Sequence, residues 1–334
     1  MKDKISIIGA GSWGTTLAVI FAKNQIDVTL CSVFKEHNRA MVKDRENRLF
    51  LKGAKFPNNL KIAPSLKQAL EGQVIVIAIP VKYLRSFTKK IKKQKIKFSK
   101  KTFISVSKGI EAKSLKRVSQ ILTEELGKVN LAVLSGPNIA KEVLRGVPST
   151  AVVACKSQIL AKRLQRLFTT PTFRVYAHKD VIGVELGGAL KNIIAIACGI
   201  ADGLGFGTNT KAALVTRGLA EITRLGKRLG AVPQTFWGIS GLGDLATTCF
   251  SSDSRNRFVG EQLGKGKKIK DILDRMEMVA EGLETVKSAY NLSKKLNVDM
   301  PITKEVYSMV YQNKSSKKAV NDLMKRALKA ERVG

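Results

Sequence analysis

Three glycines near the start of the chain have the spacing of a phosphate-binding turn. A short apolar, β-branched run leads into Gly9-x-Gly11-x-x-Gly14, and a helical pattern follows it. In such a turn the first glycine permits the tight bend, the second lets a pyrophosphate approach the backbone, and the third allows close packing of helix and strand. Amides at the start of the helix then face the phosphates. The sequence therefore predicts a dinucleotide site formed by Gly9, Gly11 and Gly14 and lined by Ser12 and Trp13.

The end of the next predicted strand, residues 27–31, bears on which dinucleotide binds. NAD-binding turns usually place an acidic residue there, where it accepts hydrogen bonds from the ribose hydroxyls. The first acid after this strand is Glu36, whereas Ser32, Lys35 and Arg39 can meet a 2′-phosphate. NADP(H) is therefore the expected cofactor, with NAD(H) as the second choice. The alternative is that Lys35 and Arg39 are two of the many surface cations of a basic chain.

Short apolar runs separated by helical patterns fill the first half of the chain. This alternation is typical of a mostly parallel sheet with helices on both faces. The predicted strands cover residues 5–8, 27–31, 74–79, 102–107, 131–134, 151–154 and 174–176. We expect residues 1–178 to form an α/β domain of the Rossmann type that binds NAD(P).

After residue 178 the strand patterns largely end and long helical patterns follow. They cover residues 181–203, 211–229, 254–264, 269–276, 283–295, 302–311 and 316–330. A length of 334 residues also favours two domains. We expect residues 179–334 to form an all-α C-terminal domain that carries the substrate-binding and catalytic groups.

The charge balance is the least usual global property of the chain. Its 59 Lys and Arg face 26 Asp and Glu, which gives a formal net charge of +33. Residues 1–178 hold 34 basic and 10 acidic side chains and so contribute +24. Residues 82–101 hold ten basic side chains, no acid, and apolar residues at helical spacing, which predicts a solvated amphipathic helix. The charge also raises the alternative of a protein that binds nucleic acid or an anionic surface.

Other features limit the kinds of site and the compartment. The four cysteines are far apart and form no CxxC pair, and the chain has two histidines. We therefore expect neither a metal site nor a disulfide framework. The N-terminal residues lack the pattern of a signal peptide, and no run reaches the roughly 18 apolar residues that a membrane helix needs. A cytoplasmic protein without an integral membrane segment is expected.

Four sequence blocks occur in a fixed order along the chain: residues 9–15 (GAGSWGT), 107–111 (SKGIE), 188–192 (GALKN), and 241–245 (GLGDL) with 254–256 (SRN). Together they resemble the bacterial-type NAD(P)-dependent glycerol-3-phosphate dehydrogenases over essentially the whole chain. The resemblance implies reversible, NAD(P)H-dependent reduction of dihydroxyacetone phosphate to sn-glycerol 3-phosphate, which supplies glycerophospholipid synthesis. It also implies a Rossmann domain followed by a helical domain, a site in the cleft between them, and a homodimer.

Lys191 is the candidate acid/base that this resemblance singles out. It lies in a helical stretch, residues 186–200, that is otherwise mostly apolar. Burial lowers the pKa of a lysine because the charged form loses hydration, and such a lysine can exchange a proton near neutral pH. The alternative from composition is one more surface lysine. Its neighbour Asn192 can orient Lys191 or a substrate hydroxyl, and by resemblance Lys108 contacts both substrate and cofactor.

Further candidate substrate contacts lie beyond residue 240. Asp244 follows two glycines that we interpret as a flexible approach, and it can bond the catalytic lysine or the substrate, or cap a helix. Thr248 lies one helical turn further on. Ser254, Arg255 and Asn256 suit a phosphate, because arginine offers a planar fork of donors and its neighbours add neutral ones. By resemblance Arg255 also touches the cofactor.

Two more segments match weaker parts of the family pattern. By resemblance Gly136 and Asn138 contact the substrate, and Ala140 contacts the cofactor. The family usually has Ser or Thr where Asn138 stands, and we expect the asparagine amide to donate instead. Val279 and Glu281 match the segment that closes over the cofactor.

One residue departs from the family pattern, and two other classes of protein share some of these features. Val33 stands where the family usually has Arg or His against the adenosine phosphate, which leaves the cofactor preference unsettled unless Ser32 or Lys35 substitutes. A related two-domain dehydrogenase of hydroxy acids or sugar acids shares the glycine turn, but is not expected to pair residues 241–245 with 254–256. A nucleic-acid-binding protein gives no account of Lys191, so we expect a small-molecule substrate and no nucleic-acid partner.

Overall fold

The computed structural model describes residues 4–276, 280–328 and 330–331. The chain forms two compact units, Met1–Ser107 with Val118–Val181, and Lys108–Arg117 with Ile182–Gly334. The segment Lys108–Arg117 thus belongs to the second unit, although the sequence predicted it within a domain of residues 1–178. Packing explains this: Ile110 is buried in the helical core, and its carbonyl oxygen accepts a hydrogen bond from Ser288 Oγ at 2.9 Å.

One eight-stranded sheet forms the centre of the first unit. Its strands are β1 (Lys4–Ile8), β2 (Asp27–Cys31), β3 (Leu60–Ile62), β4 (Val74–Ile77), β5 (Thr102–Ser105), β6 (Asn130–Ser135), β7 (Ser149–Ala154) and β8 (Phe173–His178). The order across the sheet is β3-β2-β1-β4-β5-β6-β7-β8, and every neighbouring pair is parallel except β6 and β7. Strands β4 and β5 are buried throughout, as in a parallel sheet that helices cover on both faces.

Helices connect these strands. They are α1 (Ser12–Lys23), α2 (Lys35–Asp44), α3 (Leu66–Ala69), α4 (Val81–Lys92), α5 (Val118–Leu126), α6 (Ala140–Leu144) and α7 (Gln158–Phe168). The strand order reverses between β1 and β4. Ligands of open α/β sheets bind outside the carboxyl ends of the strands at such a switch point. The glycine turn follows β1 directly and therefore lies where the fold class places a dinucleotide.

From Ile182 onward, the described residues of the second unit form helices and the turns that connect them. Its helices are α8 (Val181–Gly203), α9 (Thr208–Arg228), α10 (Asp244–Phe250), α11 (Arg255–Gly264), α12 (Ile269–Asp274), α13 (Glu281–Leu296), α14 (Pro301–Tyr311) and α15 (Ser316–Met324). A 3₁₀ turn (Pro233–Trp237) and a π-helical turn (Ile239–Gly243) precede α10. The predicted fold class, an α/β Rossmann domain with a mostly parallel sheet followed by an all-α domain, is confirmed.

Helix α8 is the central core helix of the second unit. Among the described residues it is the one helix long and apolar enough to cross a membrane, yet 94% of its most apolar window is buried inside the protein. Leu186, Ile193 and Ile196 are each at most 1% exposed. Its apolar character is therefore explained by packing on every side.

Glycines let α8 and α11 approach each other at backbone distance. A Cβ on Gly199 would overlap the carbonyl oxygen of Arg257, and a Cβ on Gly260 would overlap a backbone carbonyl of α8. Neither position can take a side chain unless a helix moves. This contact fixes the start of α11, which carries residues 254–256, against the helix that carries Lys191.

The strand prediction missed β3. This strand has three residues, and its central Lys61 is exposed, so no apolar run marks it. The helix prediction also missed α10, because Gly241 and Gly243 break the helical pattern just before it. The interpretation of these glycines as a flexible approach is wrong: they form the π-helical turn, and a Cβ on Gly241 would overlap the backbone of Phe236.

Candidate active site

Lys191 lies on α8 and points into a polar pair on α10. Its ammonium group donates a hydrogen bond to Asp244 Oδ1 and another to Thr248 Oγ1, the latter at 2.6 Å. The side chain of Lys191 is 9% exposed. The expectation of a buried lysine at this position is confirmed, and the alternative of a solvated surface lysine is wrong.

The carboxylate of Asp244 forms ion pairs with two lysines, Lys108 and Lys191. Its Oδ2 accepts a hydrogen bond from the Lys108 ammonium at 2.6 Å, while Oδ1 serves Lys191. The carboxylate is fully buried, whereas the Lys108 side chain is 20% exposed. Asp244 is the first residue of α10, and the N-cap of this helix is Gly243. Of the roles considered for Asp244, the structure therefore supports the bond to the lysine.

Thr248 adds a third hydrogen-bonding group to the cluster of Lys191 and Asp244. Its hydroxyl donates to the carbonyl oxygen of Asp244, one turn earlier in α10, at 2.7 Å. The same oxygen accepts from Lys191. Thr248 thus acts on Lys191 as an acceptor, and its own proton is committed to the helix backbone.

Burial lowers the pKa of Lys191 from its usual 10.5 to about 8. The Lys108 ammonium adds to this shift, because two cations disfavour each other, and the carboxylate of Asp244 opposes it. A group with this pKa exists in both protonation states near neutral pH. Lys191 can therefore give up or accept a proton under ordinary conditions.

Glu281, at the start of α13, belongs to the same electrostatic cluster. Burial raises the pKa of its carboxyl, and the charges of Arg255, Lys108 and Lys191 oppose that rise. The second unit therefore gathers five predicted site residues, two of them acidic and three basic. Asn192 is also buried, beside Lys191 in α8.

The triplet 254–256 forms the start of α11. Ser254 is the N-cap, and its hydroxyl accepts from the backbone amide of Arg257 at 3.2 Å. The Arg255 side chain is exposed. Asn256 Oδ1 accepts from the backbone amide of Gly282 at 3.0 Å, so this asparagine also holds the first turn of α13. A capped helix start with an exposed arginine is a suitable place for an anion.

The glycine turn has the geometry that a pyrophosphate requires. Gly9 has φ +111°, and a Cβ there would overlap the carbonyl of Ala78. A Cβ on Gly14 would overlap the carbonyl oxygen of Gly9, so helix and strand pack at this residue. Gly11, the N-cap of α1, has no atom within 4 Å of a Cβ position. The turn is thus closed at Gly9 and Gly14 and open at Gly11, where the first amides of α1 have no partner within the helix.

Ser12 and Trp13 begin α1. The Ser12 hydroxyl donates to the carbonyl oxygen of Phe50 at 2.7 Å, which leaves its backbone amide as the group available to a phosphate. Trp13 is partly buried and meets Phe173 edge to face, with ring centroids 6.2 Å apart. Both residues lie at the turn, as the sequence predicted.

Sequence reasoning missed a buried polar network behind this turn. His37 Nε2 and Nδ1 lie 3.0 Å from Asn47 Oδ1 and Ser32 Oγ, respectively. Asn47 Nδ2 donates to the carbonyl oxygen of Ala10 and to Thr15 Oγ1. Its Oδ1 is therefore the acceptor for His37 Nε2–H, and His37 Nδ1 is hydrogen-bonded to the Ser32 hydroxyl. The spacing of these residues carries no recognisable motif.

This network changes the interpretation of the adenosine end of the site. The Ser32 hydroxyl is committed to His37, and Ser32 is buried. Lys35 and Arg39 are exposed. Of the three side chains proposed for a 2′-phosphate, these two are the ones available at the surface. Val33, the departure from the family pattern, is exposed beside them.

The segment after β6 corrects one expectation. Asn138 Nδ2 donates to the carbonyl oxygens of Pro137 and Thr150, at 3.0 and 2.8 Å. Both amide hydrogens are therefore used within the first unit, and the expectation that Asn138 donates to substrate is wrong. Gly136 has φ +158°, and the carbonyl of Ala140 accepts from Thr16 Oγ1 at 3.2 Å. Val279 lies outside the described residues.

A glycine turn of this geometry in a Rossmann sheet, followed by a helical unit that buries a lysine–aspartate pair, defines a two-domain NAD(P)-dependent dehydrogenase. Residues 4–161 match the family model described as NAD-dependent glycerol-3-phosphate dehydrogenase N-terminus, and residues 180–321 match the C-terminus of the same family. The chain belongs to the family of NAD-dependent glycerol-3-phosphate dehydrogenases.

Individual relatives agree with this assignment. A protein of Citrifermentans bemidjiense named glycerol-3-phosphate dehydrogenase (NAD(P)+) is 50% identical over 339 residues, which cover 100% of both chains. One of Chlorobium phaeobacteroides with the same name is 48% identical over 98% of this chain and 99% of its own. A crystal structure of glycerol-3-phosphate dehydrogenase from Coxiella burnetii has a TM-score of 0.93 at 37% identity and covers 97% of this chain and 99% of its own.

Proposed function

We propose that this protein catalyses the reversible reduction of dihydroxyacetone phosphate to sn-glycerol 3-phosphate with NADPH. The observation that carries the proposal is the buried Lys191–Asp244–Lys108 cluster, in which the pKa of Lys191 is lowered to about 8. Family membership supplies the substrate. Reduction of its ketone requires a proton for the new hydroxyl oxygen, and Lys191 is the group suited to supply it.

The lysine works in both directions. In the reduction, protonated Lys191 donates to the carbonyl oxygen as negative charge develops there. In the oxidation, neutral Lys191 takes the proton from the hydroxyl at C2. When bound, the nicotinamide ring supplies or accepts the hydride. Asp244 holds Lys191 in place and stabilises its charged form, and the Lys108 ammonium stabilises developing charge on the same oxygen.

The start of α11 is proposed to hold the substrate phosphate. Ser254 keeps the first turn of α11 in place as its N-cap, and Arg255 offers a planar fork of donors. Asn192 and Asn256 are proposed as neutral contacts, and Thr248 as a partner of Lys191. Gly136 is proposed to contact the substrate through its backbone. The side-chain oxygen of Asn138, Oδ1, is left to accept a hydrogen bond from the substrate.

The residues of the first unit fit a dinucleotide. The open face at Gly11 and the first amides of α1 suit the pyrophosphate. Lys35 and Arg39 are proposed to hold a 2′-phosphate, which makes NADP(H) the preferred cofactor and NAD(H) the second. Trp13 is proposed to line the same site. The further cofactor contacts proposed from the family pattern are Gly9, Ser12, Gly14, Lys108, Ala140, Arg255, Val279 and Glu281.

Gly11 and Gly14 provide a test that separates cofactor binding from folding. We expect Gly11→Ala to keep the free energy of unfolding within about 1 kcal/mol of the parent and to weaken NADPH binding by at least about tenfold, because a methyl group would enter the phosphate position. We expect Gly14→Ala to lose about 1–3 kcal/mol of stability, because its Cβ would overlap Gly9. Urea denaturation and NADPH fluorescence titration measure the two effects. Unchanged NADPH binding by folded Gly11→Ala would contradict the proposed cradle.

Lys35 and Arg39 test the cofactor preference. Replacement of both by alanine is expected to raise the Kd for NADPH by at least about tenfold, because two charge-assisted contacts to the 2′-phosphate are lost. The Kd for NADH should change by less than about twofold. Fluorescence titration of each reduced cofactor gives the ratio. The matched control is the double variant Lys23→Ala/Lys67→Ala, which removes two exposed cations of the same unit. An unchanged NADPH-to-NADH ratio refutes this assignment.

The proposal also covers the two domains, the assembly, the location and the use of the product. The first unit is proposed as the NAD(P)-binding domain, with a boundary near residue 178, and the second as the substrate and catalytic domain. A homodimer, a cytoplasmic location and supply of glycerol 3-phosphate to glycerophospholipid synthesis follow from the family resemblance. Sedimentation of the purified protein tests the dimer.

The substrate class is tested by comparing two ketones. Purified protein is mixed with NADPH and either dihydroxyacetone phosphate or dihydroxyacetone, and the absorbance of the reduced nicotinamide is followed. We expect oxidation with the phosphorylated ketone and at least about a hundredfold lower kcat/KM without the phosphate, because charge-assisted contacts at α11 are lost. Equal activity on both ketones would remove the phosphate role from α11.

A further inference from the structure

The surface of α4 and the loop behind it carries a charge that the proposed function does not use. Residues 82–101 contain ten basic side chains and no acid. The apolar residues of α4, Leu84, Phe87 and Ile91, are buried in the core of the first unit. The opposite face of the helix is therefore held outward by the packing of its apolar side.

Helical geometry aligns the lysines on that outward face. Successive residues of an α-helix turn by about 100°, so Lys82, Lys89 and Lys93 lie close to one line along the helix. This line is opposite the one formed by the buried residues, and Lys90 and Lys92 flank it. All five lysines are exposed. The surface continues after the helix, with exposed Lys95, Lys97 and Lys100.

These lysines have no counterions among the described residues. The nearest acids of the packed helix α5, Glu124 and Glu125, are both paired with Arg85, at 3.0 and 2.7 Å. None of the eight exposed lysines forms an ion pair in the part of the chain that the structure describes. Like charges three and four residues apart, such as Lys89 with Lys92 and Lys93, destabilise a helix. A polyanion laid on this face would relieve that repulsion.

We propose that the α4 surface, Lys82 to Lys100, binds the headgroups of an anionic lipid bilayer. Clusters of four to eight cations on an amphipathic helix are typical of such binding. Tyr83 is half-exposed next to Lys82, whose ammonium lies 5.8 Å from the ring centroid, and tyrosine suits the polar boundary of a bilayer. Nucleic-acid sites typically add free arginine forks and several stacking aromatics; here Arg85 is paired and Tyr83 is the one exposed aromatic of the helix.

The test uses two variants of equal charge. In one, the surface lysines Lys82, Lys89, Lys90 and Lys93 become glutamine. In the other, four exposed lysines elsewhere in the first unit become glutamine, namely Lys23, Lys67, Lys128 and Lys162. Each variant lowers the formal charge of +33 by four. The full-length protein is sedimented with vesicles of equal parts phosphatidylglycerol and phosphatidylcholine, and with vesicles of phosphatidylcholine alone.

We expect the parent to bind the anionic vesicles and to be released as salt is raised well above about 0.15 M, where the screening length falls below about 8 Å. The α4 variant should bind at least about tenfold more weakly, since each contacting lysine contributes about fivefold. The control variant should lose less than about threefold. NADPH turnover should be unchanged in both, because none of these lysines belongs to the proposed site.

Three outcomes overturn the proposal. They are an absence of binding to anionic vesicles, an equal loss in both variants, and tighter retention on single-stranded RNA than on vesicles at the same salt. The last outcome would assign the surface to nucleic acid. A thermal melt at low salt provides a second measurement that does not depend on vesicles. The α4 variant should melt higher than the parent, because repulsion is relieved, and a lower melting temperature would contradict the account of the unpaired face.

Discussion

Replacement of Lys191 by alanine is expected to lower kcat for dihydroxyacetone phosphate by about a thousandfold, with the Kd for NADPH within about twofold of the parent. The reason is that the buried ammonium of Lys191, held by Asp244 and Thr248, is the proposed proton donor. Steady-state rates and NADPH fluorescence titration measure the two quantities separately. Loss of turnover without loss of cofactor affinity is the pattern of a group that acts mainly in the transition state.

Lys191→Arg is the informative control for this experiment. Arginine keeps the positive charge beside Asp244, but it does not give up its proton in proteins. If Lys191 transfers a proton, the arginine variant should be nearly as slow as the alanine variant. If Lys191 serves only as a fixed charge, arginine should restore much of the rate. Restoration by arginine, or an equal loss of NADPH binding and rate in Lys191→Ala, would contradict the acid/base role.

The second large effect is expected at Asp244, and its clearest signature is a shift in the pH profile. With Lys191 as the proposed proton donor, its protonated form is the active one in the reduction, so kcat should fall as pH rises through the pKa near 8. In the oxidation the neutral form is active, so the rate should rise through the same range. The carboxylate of Asp244 raises this pKa and Lys108 lowers it. In Asp244→Asn, burial and the Lys108 charge still lower the pKa of Lys191, and nothing from residue 244 raises it. The pH at which kcat for the reduction falls should therefore be lower.

Asp244→Asn should also reduce stability. The carboxylate is fully buried between two ammonium groups, and removal of one partner of a buried ion pair costs about 3 kcal/mol or more. Urea denaturation measures this loss. Thr248→Val is the matched control, because it removes an uncharged acceptor from Lys191. Its pH profile should move less than that of Asp244→Asn, and a limb that stays in place in Asp244→Asn would refute the electrostatic account of the lysine.

The long apolar patterns of the chain predicted much of the fold. Helix α8 was predicted at residues 181–203 and is found there as Val181–Gly203, because a stretch so apolar must be buried on every side. Short elements were harder to predict. Strand β3 has only three residues, and α10 begins directly after glycines that form a π-helical turn. These elements depend on packing partners that are distant in sequence.

The candidate site, like the fold, was predicted from the sequence only in part. Burial of Lys191 follows from its apolar neighbours, but its bond to Asp244 joins residues 53 positions apart, and no local spacing reveals such a contact. Asn138 was expected to donate to substrate because its residue type permits it. The structure commits both of its amide hydrogens to backbone carbonyls. The network around His37 was missed for the opposite reason, because its members form no motif although they surround the glycine turn.

The central claim is that hydride adds to C2 of dihydroxyacetone phosphate while Lys191 protonates the oxygen. The most direct measurement is to incubate the protein with dihydroxyacetone phosphate and NADPH that carries deuterium at the transferable position, and to analyse the product by NMR and chiral assay. We expect sn-glycerol 3-phosphate with deuterium at C2, and almost none from Lys191→Ala under the same conditions. No product with either NADPH or NADH, or a product without deuterium at C2, would contradict the account.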